Sequence, residues 1–297
     1  MALLLAGGCR DYNIAALADA AKKNGIETID LRLPISESPV FCWNPGQRRV
    51  QLSGCDVHAT CGFIRYDVFA TLKDSRPEVA VRSIAWYQAV WGWLLSDPSI
   101  RIFNREMSQV TTNKPATLVR ALHAGLKIPW TLITNDARTF SAEETASMVA
   151  KPVAGGDYCY SLEEAVAKAN LGAVPAASPA IVQNRLAAPE VRVYVIGKHT
   201  FAFQLLSNSL DYRVHQDVEL KLMPEPPDEV TALRKLTFAL RVDFGAADFK
   251  TDPNSGELVF LELNTSPMFE SFDAAADGRI CSAILDELTQ PESPVQL

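Results

Sequence analysis

Positive charge is in deficit: 28 lysines and arginines face 35 aspartates and glutamates, for a net charge of −7. A phosphate-backbone interface concentrates Lys and Arg on one face, so no nucleic-acid partner is expected. Long apolar runs are also missing, since no stretch approaches the roughly 18 residues that a membrane helix requires, and no membrane association is expected. The start, MALLLAGG, has no basic residue before its apolar run and reads as a first strand, not as a signal peptide. Cysteine is sparse and scattered (Cys9, Cys42, Cys55, Cys61, Cys159, Cys281), which argues against a disulfide framework and for reduced thiols in the cytoplasm. Low-complexity tracts and internal repeats are absent, so a chain folded almost throughout is expected.

Two catalytic signatures are lacking as well. There is no GxxxxGK[ST] phosphate loop, and no nucleophile elbow accompanies His123, His199 or His215, so a hydrolytic triad is not supported. Cys55, His58 and Cys61, with Cys42 upstream, have an unusual spacing for structural zinc, and buried free cysteine is the commoner reading.

What is present is an alternation of β and α patterns. Leu3 to Ala6, an amphipathic run from Ile14 to Lys23, and Ile26 to Leu31 predict strand, helix, strand. Segments 40–52 and 62–66 read as β, and Val79 to Leu95 as a Trp-rich buried helix, with a first lobe closing near Asn104. Helix, strand, helix and strand follow over 116–124, 130–134, 142–148 and 149–153. Four strands (181–184, 191–196, 200–206, 218–222), a helix (229–240), a hairpin (246–250 with 258–263) and a last helix (278–288) complete the pattern.

The hairpin carries the most chemistry. A turn centred on Ser255 puts Asp248 directly across from Glu262, and facing like charges destabilise a sheet. Asn264 is two residues beyond Glu262 and shares its face. Two carboxylates and an amide in one place suit a hard divalent cation, which takes oxygen ligands. The hairpin alone fits equally well with carboxylates that face solvent or pair with Arg241 or another lysine or arginine. Lys151 ends an apolar strand just before Gly155-Gly156, where an ammonium and backbone N–H groups suit phosphate.

In order, Asn113-Lys114 with AGLKIPWTLITND, VAKPVAGGDY, IVQNRL with PEVRVYVIG, LDYR, and GAADFKTDPNSGELVFLELNTSP resemble the ATP-grasp superfamily. The likeness is to RimK-type amino-acid ligases and to the maturases of microviridin-like peptides, and it spans most of the chain. It implies an α/β ATP-grasp fold with an N-terminal pre-ATP-grasp lobe over 1–108. The small lobe with its phosphate-covering loop would run over 109–184, and a C-terminal metal-bearing lobe over 185–297.

The resemblance assigns Lys114 and Lys151 to the α- and β-phosphates, Gly155 and Gly156 to the mobile loop above them, and Gln183, Asn184, Arg185 and Leu186 to the adenine hinge. Glu190 matches the ribose-binding acid, Leu261 the floor under the base, and Asp248, Glu262 and Asn264 the ligands of two magnesium ions, or of manganese. Arg192 and Arg213 match the arginines facing the γ-phosphate and acyl phosphate. The implied activity is ATP-dependent ligation of an amino-acid or peptide side-chain carboxylate to an amine or hydroxyl through an acyl phosphate. The rival is an inactive nucleotide-binding regulatory or scaffold protein. Met268 stands where such ligases usually have glycine after NxSP, so specificity stays open, as does the oligomeric state, a homodimer included.

Overall fold

The computed structural model describes residues 1–34, 38–47, 49–154, 159–169, 175–206 and 218–289. Contacts divide the chain into two compact units, one of Met1–Arg105 with the segment from Met268 onward, the other of Glu106–Pro267. Among the described residues no helix is long and apolar enough to cross a membrane.

The first unit is built on β1 (Ala2–Gly8), whose LLLA run is buried on both faces, as a central parallel strand requires. Helix α1 (Tyr12–Lys23) begins where the Asp11 side chain accepts the Asn13 N–H, and it returns the chain to β2 (Glu27–Leu33). A small antiparallel sheet follows, of β3 (Phe41–Asn44), β4 (Arg49–Leu52) and β5 (Cys55–Asp56). Then come β6 (Cys61–Ile64), α2 (Val68–Lys73), α3 (Pro77–Ser96) and β7 (Arg101–Ile102). The main sheet is parallel with the order β2-β1-β6-β7. Pro77 opens α3, where its missing N–H is harmless, and the helix buries Val90, Trp93 and Leu94 against that sheet. The helices Glu270–Ala275 and Arg279–Thr289 pack on α1, β6 and β7, so the end of the chain belongs with its beginning.

The second unit opens with α4 (Lys114–Ala124), capped by the Asn113 side chain and stopped by Gly125 at φ 93°. One of its sheets, ordered β10-β9-β11-β8, contains β8 (Thr131–Thr134), β9 (Met148–Pro152), β10 (Tyr160–Ser161) and β11 (Ala180–Asn184). Helices α5 (Ala142–Ser147) and α6 (Leu162–Ala169) pair with it. The other sheet, ordered β14-β13-β12-β15-β16, contains β12 (Ala187–Ile196), β13 (His199–Leu206), β14 (Glu219–Leu222), β15 (Phe244–Thr251) and β16 (Leu258–Asn264). Helix α7 (Val230–Leu240) lies between β14 and β15 in sequence. Val191, Val193, Val195, Ala247, Phe249, Phe260 and Leu263 form a core with Leu118 and Ala121 of α4 and Leu233, Leu236 and Leu240 of α7. One face of the five-stranded sheet is thus apolar and covered by helices, which leaves the alternate residues for chemistry.

Candidate active site

Those alternate residues form a charged row. Arg192 on β12 is paired in register with Asp248 on β15, and Asp248 with Glu262 on β16. Arg192 grips both oxygens of Asp248, Nε to Oδ1 at 2.6 Å and Nη2 to Oδ2 at 2.9 Å, with side chains only 12% and 8% exposed. Lys114, the first residue of α4, brings its Nζ to 3.1 Å from Glu262 Oε2, with side chains 36% and 34% exposed. The two facing carboxylates are therefore each bonded to a cation, and the repulsion expected of the hairpin is relieved by Lys114 and Arg192, to which the resemblance gives roles toward the phosphates.

One row along, Glu190 faces Lys250 in register and the two make an ion pair of 3.3 Å. Burial pushes the Glu190 carboxyl above the usual range, with the Asp248 charge adding to it against the pull of Lys250 and Arg192. Lys250 is a site neighbour that sequence reasoning missed. Its signal was its position two residues after Asp248, on the same face of the strand. Between Ala187 and Glu190 the register shifts, at the Ala188-Pro189 step, where proline has no ladder donor to offer.

A second irregularity places Leu261. The ladder pairs Thr251 with Leu258 and Phe249 with Phe260, then Asp248 with Glu262, so Leu261 is one residue extra on β16. Such a bulge re-aims side chains, and Leu261 and Glu262 are both half-exposed while Phe260 and Leu263 are buried. Asn264 is exposed, with its Oδ1 accepting the Ser266 N–H at 2.9 Å and one lone pair left over.

In the other sheet Lys151 is paired with Ile181, and Gln183, two residues on, with Val149 and Thr131, so Lys151 and Gln183 share a face. Lys151 makes no ion pair among the described residues, which leaves its ammonium for an outside anion. The Gln183 amide donates from Nε2 to Thr131 Oγ1 at 3.0 Å, while its Oε1 is buried without a partner. A buried acceptor left unpaired is costly, by about 1–3 kcal/mol, and a ligand N–H at this end of β11 would satisfy it. In the backbone that follows, Asn184 N–H reaches Trp130 O at 3.4 Å and Arg185 N–H reaches Ser147 O at 3.0 Å, and Leu186 is half-buried. Gly155, Gly156 and Arg213 lie outside the described residues.

The donor set of two carboxylates and an amide oxygen fits a hard divalent cation, and the unpaired acceptor of Gln183 fits a base bearing an amine. No family model and no curated protein matches the chain. Solved structures do. The ATP-grasp ligase PsnB complexed with a minimal precursor, Mg and ADP is 22% identical, with 97% of this chain and 98% of that one covered and a TM-score of 0.73. The macrocyclase MdnC from Microcystis aeruginosa, bound with precursor peptide MdnA, is 18% identical over 98% and 100% of the chains, with a TM-score of 0.72. The VanG D-Ala:D-Ser ligase from Enterococcus faecalis is 17% identical over 97% of both, with a TM-score of 0.59. The chain has the ATP-grasp fold.

Proposed function

We propose that this chain is an ATP-dependent ligase that activates a side-chain carboxylate of a peptide as an acyl phosphate, with ADP as the by-product, and passes it to an amine or hydroxyl. The observation that carries the reading is the row Lys114, Glu262, Asp248, Arg192, in which two facing acids are each held by a cation on the face of the sheet away from its helix-covered core, in a chain with the ATP-grasp fold. The neighbours PsnB and MdnC were captured with precursor peptides, which favours a peptide substrate over a free amino acid.

In this reading Lys151 and Lys114 hold the α- and β-phosphates, and Lys114 exchanges its bond to Glu262 for one to phosphate. Gln183 and the Asn184–Leu186 backbone take the adenine, Leu261 supports it, and Glu190 holds the ribose hydroxyls. Asp248, Glu262 and Asn264 would hold magnesium, which supplies neutralising charge to the phosphates when bound. Arg192 and Arg213 face the charge that develops on the moving phosphoryl group, for which a guanidinium fork is suited. Six free cysteines agree with a reducing compartment such as the cytoplasm.

The test is substrate-dependent ADP release with a panel of peptides encoded beside the gene and of free amino acids. Release with a peptide, abolished in Glu262→Ala, is the expected result. ATP binding with no release across the panel would leave a nucleotide-binding regulatory protein.

A further inference from the structure

The first unit has a crevice of its own, at the carboxyl ends of β1, β2 and β6 and beneath α3. From β1 the chain passes to β2 on one side, and it later reaches β6 on the other side of β1. Ligands of open parallel sheets bind where the strand order reverses in this way. The enclosed volume is about 20 Å³, room for one small polar group.

Three of the residues lining it carry a polar atom with no partner among the described residues. Asp67 spends Oδ1 on the cap of α2, accepting the Ala70 N–H at 3.0 Å, and its Oδ2 is unused. Ser83 is 7% exposed and its hydroxyl makes no hydrogen bond. The Tyr87 hydroxyl makes none either, and burial alone pushes its pKa up. Ser83 and Tyr87 are four residues apart on α3 and so share a face. Asp67 lies so close to Gly8 that a Cβ there would come within 2.4 Å of the carboxylate, which makes glycine a requirement for its position. Two arginines also line the crevice. Arg65 is bonded to the buried Asp11 at 2.8 Å, and Arg82 to Pro34 O at 2.7 Å and Ser38 Oγ at 3.0 Å.

We propose that this crevice binds the ammonium of a primary amine, as on a lysine side chain, through Asp67, Ser83 and Tyr87. An ammonium has three donors and no acceptor, which suits a carboxylate and two hydroxyl oxygens carried by side chains that line a space for one group, and Trp86 adds an aromatic wall that attracts a cation. A carboxylate would meet the like charge of Asp67, and a hydroxyl would bring no charge to it. That the amine is the acceptor of the ligation, giving an amide in place of an ester, rests on the ligase reading.

The test is an NMR titration of the isotope-labelled full chain with Nα-acetyl-lysine methylamide and its norleucine and glutamate counterparts, with ATP titrated separately. The lysine probe should give saturable shifts at Gly7, Gly8, Asp67 and Ser83, and norleucine none. Asp67→Asn should bind about tenfold more weakly or worse, and Tyr87→Phe less tightly than the parent. Asparagine still caps α2, so the first variant should keep its fold. Equal shifts with norleucine, a preference for the glutamate probe, or no shift with lysine at its solubility limit would overturn the site. If the lysine probe fails while ATP binds, the crevice assignment falls and the ligase reading stands; the reverse result removes the ligase role and keeps the site.

Discussion

Arg192 and Lys114 each hold a carboxylate of the same row, yet their burial sets their energetic roles apart. Arg192 and Asp248 are nearly out of solvent, so Arg192→Ala strands a buried carboxylate and should cost about 3–5 kcal/mol of stability. An unchanged denaturant midpoint would show that water reaches Asp248 freely. Lys114 and Glu262 are about a third exposed, so Lys114→Ala should cost under ~1 kcal/mol while weakening ATP binding by roughly tenfold or more, measured by calorimetry. Glu190 adds a pH dependence. Its folded pKa is raised, so the folded state keeps the proton longer; that contribution is full below the ordinary value of 4.5 and is lost as pH rises through the folded value. Replacing Glu190 with glutamine should flatten the fall in stability above pH 4.5 in nucleotide-free protein, and parallel profiles for the two proteins would refute it.

Among the elements, the hairpin shows how far a pattern reaches. A turn centred on Ser255 would pair Asp248 with Glu262 through a regular ladder. The pairing is found, but by another route, since the ladder near the turn is one residue out and the bulge at Leu261 restores it. Deleting Leu261 from this edge strand should then be tolerated, because Glu262 still faces Asp248 and the alternation of buried and open positions becomes regular. The fold should persist while ATP affinity falls by roughly tenfold through loss of the apolar floor. An unfolded deletion variant would mean that the bulge itself is required. Long periodic elements such as β1, α1, α3 and α7 were legible because their own residues decide them. The helix Glu270–Ala275 was not, because the Phe269 and Glu270 N–H groups at its start are held by Asn13 Oδ1, at 2.5 and 2.9 Å, from near the other end of the chain. The Arg192–Asp248 pair was hidden for a related reason, since its register depends on the break at Ala188-Pro189.

For the whole molecule, what matters is that the first unit is made from both ends of the chain. The sequence reading carried the metal-bearing lobe to residue 297, but from Met268 the chain packs with residues 1–105. Phe269, Phe272, Ile280, Ile284, Leu285 and Leu288 are all buried, and Phe269 meets the Phe63 ring at 5.9 Å. At roughly 1.5–3 kcal/mol for each large apolar side chain, they contribute on the order of 10 kcal/mol, comparable to the whole net stability of a typical domain. A chain stopped after Pro267 should therefore lose the first unit. The second unit keeps its own core and all of Lys114, Lys151, Asp248, Glu262 and Asn264, because they lie within Glu106–Pro267. Hydrogen exchange should show β1, α1 and β6 unprotected in the shortened chain and β12 and β15 still protected. Persistent protection of β1 would mean that residues 1–105 fold without the returning segment, and that the helices from Met268 onward only cover a core that is already stable.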